Sequence, residues 1–372
     1  MKAGWQTTPF EDCIEPVTYT TKIQRKDFLS EGAFPIVSQE EDLINGRWEN
    51  DADLFKVERP LVLFGDHTRS FKYVDFDFVL GADGVKILKP KAFLHPRYFY
   101  FQLHTAKLES LGYARHYRLL KEHSVNYPDF AEQHRIVTVL DEAFADIATA
   151  KANAEKNLQN ARDFFAGQLQ AVFDSGIDNW NSSTLGQVYD VRDGTHDSPK
   201  YHDEGFPLIT SKNLKNEGLT FDDVKLISLE DYNKINERSA VYQGDVLLAM
   251  IGTIGNPTVV ETIPNFAIKN VALLKVPENQ NSYFLRYYLS CPSVIAKMQA
   301  EAKGTTQKFV GLGYLRAFPI SVPDLLVQDL MVGKLDELRA ETNRLEAIYR
   351  QKLTALDDLK KSLLHQAFSG QL

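Results

Sequence analysis

Cysteine, long apolar runs and positive charge are all scarce in this chain. Only two cysteines occur, Cys13 and Cys291, far apart and in no metal-type spacing. Reduced thiols and cytoplasmic residence are the simple expectation. No apolar run is long enough to suggest a membrane span. The start, Met1-Lys2-Ala3-Gly4-Trp5-Gln6, lacks the apolar stretch of a secretory signal. No glycine-rich loop followed by Lys and Ser/Thr is present, so no phosphate-cradling nucleotide site is expected. Nor is there an Asn-Pro-Pro-Tyr or Asp-Pro-Pro-Tyr run of the kind adenine methyltransferases carry.

The net charge is −8, whereas nucleic-acid binders usually show a basic surface. The distribution matters more than the sum. Residues 129–174 carry −4 and residues 324–372 carry −1, so these two segments hold most of the acid excess. The other two blocks are near neutral, and each is free to present a basic face. The hydrophobic content of 44% and charged content of 25% are those of a folded protein, and 372 residues imply two domains or more.

What the chain does have is an internal repeat with a period of 195 residues. Tyr127-Pro128-Asp129 matches Val322-Pro323-Asp324, Gln133 matches Gln328, and Leu140-Asp141 matches Leu335-Asp336. Further along, Asp163 matches Asp358 and Phe173 matches Phe368. Both segments read as long helices with a heptad-like apolar stripe. The second stripe runs through Leu335, Leu338, Thr342, Leu345, Tyr349, Lys352, Leu356, Leu359 and Leu363. The first runs through Leu140, Ala143, Ile147, Ala150, Ala154, Asn157, Ala161, Phe164 and Gln168. A small-residue stripe faces a large-residue stripe well, so pairing within the chain is expected, with Leu140, Ile147, Leu335, Leu338, Leu345, Leu356 and Leu359 on the seam. Polar Asn157 and Lys352 interrupt the two stripes at matched places, a device that fixes register. Each helix should start after Pro-Asp and end near a glycine, Gly176 or Gly370. About 45 residues at helical rise make a rod of roughly 65–70 Å.

The blocks ahead of the helices correspond too. Trp5-Gln6-Thr7-Thr8 is like Trp180-Asn181-Ser182-Ser183, and Gly32 to Ser38 is like Gly205 to Ser211. Leu61 to Gly65 is like Asp245 to Ala249, and Tyr98-Phe99-Tyr100-Phe101 parallels Tyr283-Phe284-Leu285. These are short β-type runs between Gly, Pro, Asn and Asp turns, followed by one helix. The expected fold is α+β: two pseudo-symmetric globular domains, over 1–127 and 176–322, separated by a pair of long antiparallel coiled-coil helices over 128–175 and 323–372. Such an order could close on itself around a pseudo-two-fold axis.

At this point the chain resembles the specificity subunits of type I restriction–modification enzymes, over essentially its whole length. The carriers are the Pro-Asp…Gln…Ile-Val…Leu-Asp run at 128–141 and its copy at 323–336. Others are Asp193-Gly194-Thr195-His196-Asp197-Ser198-Pro199-Lys200-Tyr201, then Phe206 to Asn213, and Gly244-Asp245-Val246-Leu247-Leu248 with Gly252-Thr253-Ile254-Gly255. The first block departs from the pattern, with Thr18-Tyr19-Thr20-Thr21-Lys22 where the second has Asp-Gly-Thr-His. The resemblance implies two target-recognition domains, each reading one half of a bipartite asymmetric site in double-stranded DNA. It implies helices that set the spacing and dock two modification (methyltransferase) subunits, with motor-nuclease restriction subunits joining for cleavage. No catalytic residue and no cofactor is then expected in this chain; S-adenosylmethionine, Mg and ATP belong to the partners.

Base reading needs side chains at base edges plus phosphate contacts that fix register. In the second domain the candidates are Thr195, His196, Lys200, Tyr201, Ser211, Lys212, Asn213, Thr253 and Asn256. In the first they are His67, Thr68 and Arg69, with Lys22, Arg25 and Lys26. Two basic-aromatic patches precede the long helices, supplying Arg115, His116 and Tyr117 in one and Gln307 and Lys308 in the other. For any one of them the plain alternative is a solvated loop or a cap. His196-Asp197 and His202-Asp203 hint at a metal, but two loop histidines without a third partner are usually surface residues. Asp141-Glu142 spells a helicase box by letters only and lies on the helical stripe. Pro323-Asp324 and Asp358-Leu359-Lys360 spell a nuclease, yet at helical rise they stand roughly 50 Å apart. The rival to DNA recognition is a coiled-coil adaptor whose terminal domains bind protein; an enzyme with an unrecognised site is the third reading.

Overall fold

A computed structural model describes residues 4–82, 84–112, 114–176, 180–215, 218–252, 254–304 and 308–372. The chain divides into two compact units, residues 1–155 with 350–372, and residues 156–349. Each is taken by itself.

The first unit holds β1 (Gln6–Pro9), β2 (Ile14–Glu15), β3 (Lys22–Ile23), β4 (Phe34–Val37), β5 (Gly46–Trp48), β6 (Leu54–Phe55), β7 (Leu61–Gly65), β8 (Phe71–Val74), β9 (Phe78–Gly81) and β10 (Val85–Pro90). Helices α1 (Pro96–Leu103) and α2 (Tyr117–Lys121) and strand β11 (Ser124–Tyr127) lead into the long helix α3 (Phe130–Gly176). One antiparallel sheet has the order β2-β10-β7-β8; a second runs β3-β9-β4-β5, with β6 also on β9 and the β4–β9 pair parallel. Strand β1 pairs with β11, so the start of the block is tied to the run before the long helix.

The second unit repeats the plan. It holds β12 (Asn181–Thr184), α4 (Leu185–Val188), β13 (Asp190–Asp193), β14 (Phe206–Ile209), β15 (Leu214–Lys215), β16 (Gly218–Leu219), β17 (Lys225–Ile227) and α5 (Leu229–Ser239). Then come β18 (Val246–Ala249), β19 (Gly255–Val259), β20 (Ala267–Ile268), β21 (Val271–Lys275), α6 (Ser282–Ser290), α7 (Pro292–Ala300), α8 (Leu312–Ala317), β22 (Pro319–Val322) and the long helix α9 (Leu325–Ser369). The sheet β13-β21-β18-β19 matches the first, the β14–β20 pair is again parallel, and β12 pairs with β22. Helix α5 sits where the first unit has only a 3-10 turn, Asp51–Asp53.

Both long helices begin as their Pro-Asp signals predict. The Asp129 carboxylate accepts from the Glu132 amide and Asp324 from the Val327 amide, each at 2.9 Å. At the end of α9, Gly370 takes φ +76 and the Gln371 amide donates to the Gln366 carbonyl, the bond of a Schellman cap. The repeated Gln and Asp tie helix to domain. Gln133 is fully buried; its amide nitrogen donates to the Phe93 and Pro128 carbonyls and its oxygen accepts from the His95 amide. Gln328 is buried in the same way, donating to Pro323 O and Gln280 Oε1 and accepting from the Asn281 amide. Asp141 pairs with Arg97 at 2.9 Å, and Asp336 accepts from the Tyr287 hydroxyl at 2.5 Å. Asp141 thus holds a helix to its domain, as its place on the stripe implies.

Within each unit the long-helix segments run antiparallel. In the first, Lys151 pairs with Asp357 and Lys360 lies over the Phe144 ring; in the second, Arg162 pairs with Glu346 and Arg339 lies over Phe165. The buried line departs from the expected heptad. After Ala154 it passes through Leu158, Ala161, Phe165, Leu169 and Phe173, leaving Asn157, Phe164 and Gln168 exposed. In α9, Leu335 is buried and Leu338, Leu345 and Leu356 are half-buried, but Lys352 and Leu359 point to solvent and Leu353 takes the inward place. Leu359 is therefore not a seam residue, and neither stripe carries the expected polar break. The cause is the mismatch between 3.6 residues per turn and a strict seven-residue repeat, which rotates the stripe by about 20° per heptad.

Candidate nucleic-acid interface

In the first unit the loops gather at one end of the sheets, where β3, β4, β7 and β9 finish and β8 and β10 begin. The turn from β7 to β8 carries exposed His67, Thr68 and Arg69. It is held from the loop after β4: the Thr68 and Ser70 hydroxyls both reach the Gln39 carbonyl, at 2.6 and 2.9 Å, and the His67 amide donates to the Gln39 side chain. Arg69 adopts φ +62 and donates to the Leu108 carbonyl at 3.0 Å. Lys22, Arg25 and Lys26 are exposed beside this end, with Lys22 over the Tyr19 ring and Arg25 3.3 Å from Glu40.

The loop that carries Gln39 is itself pinned. Asn45 accepts from the Ser38 amide and hydroxyl and from Lys72 at 3.0 Å, and Lys72 also donates to the Asp42 carbonyl. Lys72 is 5% exposed, and burial pushes its ammonium down to about 8. The unfolded chain binds the extra proton between about 8 and the ordinary lysine value, so stability should rise with pH across that window. Wild type minus Lys72→Met, compared by urea midpoint at pH 7 and pH 9.5, should show a gain of about 2 kcal/mol that the variant lacks. Equal pH slopes would show that Lys72 holds its proton in this pocket as firmly as in the unfolded chain.

Two residues of the patch before α3 are structural. His116 is 1% exposed; its Nδ1 donates to the Asp66 carbonyl at 2.9 Å and its Nε2 accepts from the Leu111 amide at 3.0 Å, so no ring nitrogen is left for a base. Tyr117 is half-buried against Phe10 and Phe64, and burial pushes its hydroxyl up to about 12. Arg115 alone of the three is exposed.

In the second unit the matching sheet end carries the loop after β13 and the loop between β18 and β19. The Gly194 amide donates to the Val271 carbonyl and Ala249 stands opposite Val271 in register, which brings the two loops side by side. Lys200 and Tyr201 are exposed, and Thr195 is half-buried, its hydroxyl accepting from the Asp197 amide. His196 is exposed but engaged: Nδ1 lies 2.8 Å from Asn270 Oδ1 and Nε2 2.9 Å from Asp193 Oδ2. Those two hydrogen bonds, Asn270 first and Asp193 second, raise its pKa. Lys212 is exposed and Ser211 half-exposed, but Asn213 is 4% exposed and caps the turn through the Thr210 amide and hydroxyl. Asn213 is thus a cap and not a base reader. Asn256, at φ +49, donates one of its two amide hydrogens to the Leu214 carbonyl at 3.2 Å, which holds the side chain against β15. Lys308 is exposed, and its carbonyl accepts from the Gly252 amide, setting it against the second loop. Thr253 and Gln307 lie outside the described residues.

Sequence reading missed Gln39 and Lys72 in the first unit, and Arg238, Lys269 and Asn270 in the second. Lys269 donates to the Ser198 hydroxyl, and Arg238 donates to Asp193. The signals were faint: a lone basic residue at the last turn of a helix, and an asparagine before a β-run at φ +56. Among the described residues no group of three or more His, Cys, Asp or Glu is placed to hold a metal, and no helix is long and apolar enough to cross a membrane.

Two like sheet domains, each presenting its divergent loops at the same sheet end and each tied to long helices, define a modular two-domain architecture. Residues 177–355 match the family model for the type I restriction modification DNA specificity domain. The specificity subunit of the type I restriction enzyme EcoBI from Escherichia coli is 22% identical over 283 residues, which span 68% of this chain and 60% of that one. The EcoR124I/EcoR124II specificity subunit from the same organism is 24% identical over 357 residues, 88% of this chain and 84% of that one. Two solved structures share the fold. One, from work on complex assembly and conformational transition of the type I R-M system, has a TM-score of 0.75 at 16% identity, covering 100% of this chain and 99% of its own. The HsdS subunit of Thermoanaerobacter tengcongensis has a TM-score of 0.56 at 18% identity, covering 100% and 98%. Residues 177–355 thus carry a type I restriction modification DNA specificity domain, and the chain as a whole is similar to specificity subunits and shares their fold.

Proposed function

We propose that this chain is the non-catalytic subunit that gives a type I restriction–modification complex its DNA sequence specificity. Residues 1–127 and 176–322 are the target-recognition domains, each reading one half of a bipartite asymmetric site. Residues 128–175 and 323–372 are the helices that set the spacing and dock two methyltransferase subunits. The motor-nuclease subunits join that assembly, and S-adenosylmethionine, Mg and ATP serve the partners. The complex works in the cytoplasm, where its double-stranded DNA substrate lies.

The observation that carries this reading is the placement of unlike loops on like frames. The turn after β7 and the loop after β18 leave the same sheet end in the two units, yet differ in sequence. Repeated scaffolds with divergent loops are how one fold reads two different half-sites. The net charge of −8 is compatible with this if the partner subunits add basic surface around the duplex.

Expression with the modification subunit, followed by single-molecule mapping of methylated bases, should give a split motif: two short halves around an unspecified gap. Replacing loop 193–201 should then change one half only, and changing helix length by a few residues should alter the gap and spare the halves. A loop swap that changes both halves would sink the two-domain assignment. A stable complex with no methylated motif would favour the protein-binding adaptor.

A further inference from the structure

The recognition loop after β13 is fastened at its start by α5, an 11-residue helix in the place of a three-residue 3-10 turn in the first unit. Arg238, in the last turn of α5, directs Nη2 at Asp193 Oδ1 at 2.8 Å, with the Gly194 and Asp193 carbonyls at 3.2 and 3.4 Å. The Asp193 side chain is 14% exposed and uses its other oxygen on His196 at 2.9 Å. His196 passes the contact to Asn270, whose amide donates to the Thr195 carbonyl at 3.1 Å. Lys269 holds the middle of the loop through Ser198, and the His202 amide holds its end through the Leu226 carbonyl. The Arg238 backbone carbonyl accepts from Arg192, so the helix end is anchored in turn to β13.

With both nitrogens of His196 engaged, Lys200 and Tyr201, exposed at the far end of the loop, are its basic and aromatic side chains placed to meet a base. Their positions depend on a start point held by the Gly194 and Thr195 backbone bonds and, from the side-chain side, by the Arg238 guanidinium on Asp193. Planar, multiply donating Arg fits that task; a point-charge cation does not.

We propose that Arg238 is a positioning residue for the second half-site, clamping loop 193–201 through Asp193 so that Lys200 and Tyr201 are presented in one register. This role rests on the recognition function proposed above. Arg238 touches no DNA in it. Loss of the clamp loosens sequence choice in one half and leaves the other alone.

The test uses Arg238→Gln and Asp193→Asn in the full chain. In the isolated protein, hydrogen exchange at the Thr195 and Asn270 amides should quicken by about tenfold, while the thermal midpoint stays within a few degrees. In cells with the modification subunit, both variants should methylate sites with substitutions in the second half, narrowing discrimination there by about tenfold, with the first half unchanged. An unchanged motif in both variants would overturn the proposal. So would uniform weakening at a constant motif, the signature of a lost phosphate contact. A wild-type chain that yields no split motif would instead sink the recognition function, and this role with it.

Discussion

Replacing Phe173 by alanine should lower the stability of residues 156–349 by about 3–5 kcal/mol, the range for truncating a buried aromatic. Phe173 is 5% exposed near the end of α3. Its ring meets Trp180 at 6.2 Å, Phe284 at 5.4 Å and Tyr288 at 5.5 Å, so it joins the long helix to the entry strand and to α6 at once. Its repeat mate, Phe368, packs at 5.2 Å on Tyr98 of α1 in the first unit but is only partly buried. Phe368→Ala should therefore cost less and should act on the other unit. The three tryptophans separate the two effects: Trp180 lies in the second unit, Trp5 and Trp48 in the first. With Trp5 and Trp48 changed to Phe, the urea transition of Trp180 should move to much lower concentration in Phe173→Ala and little in Phe368→Ala. An unmoved Trp180 transition in Phe173→Ala would mean that the α3 end does not hold this domain together.

The same pair shows how much of the fold was legible beforehand. A 195-residue period, two Pro-Asp starts and matched Gln and Asp residues lie in plain sequence, because caps and buried amides depend on near neighbours. The long helices begin one residue after the predicted caps. The stripe was read one residue off beyond Ala154, since apolar letters cannot tell a 3.5 from a 3.6 period once Phe164 and Phe165 stand side by side. The sites were less legible. His116 and Asn213 look like base readers by residue type, yet both are buried: His116 on Asp66, 50 residues away, where only the fold supplies the partner, and Asn213 in a local capping box with Thr210, three residues before it. Arg238 was passed over for the converse reason, as it acts on Asp193 from 45 residues away. Exposed loop residues such as Lys200, Tyr201 and Lys212 were found because solvent-facing basic and aromatic side chains need no long-range partner to stay where sequence puts them.

Gly194→Ala should abolish reading of the second half-site while sparing the first. A Cβ at Gly194 would stand 2.3 Å from the Ile268 carbonyl oxygen and 2.5 Å from its carbon. Those atoms are backbone, and they cannot retreat. Ile268 pairs in parallel with Ile209, and the next amide, Lys269, bonds to the Ile209 carbonyl at 2.8 Å. The loop must move instead, breaking the bonds from the Gly194 amide to Val271 and from the Thr195 amide to Ile268, both 3.0 Å. Overpacking of this kind costs about 1–3 kcal/mol. The functional loss should be larger in kind, because a base contact worth about 1–3 kcal/mol of discrimination depends on the register that the shift destroys. Gly333→Ala, in helix α9 with nothing within 4 Å of its would-be Cβ, is the control. It should raise stability by about 0.8–1 kcal/mol through helix propensity alone and keep the methylated motif intact. Motif mapping of the two alanine variants decides the matter. A Gly194→Ala chain with the wild-type motif and wild-type midpoint would show that the Ile268 carbonyl yields, and that the close approach at the start of the Asp-Gly-Thr-His run is not what fixes the loop.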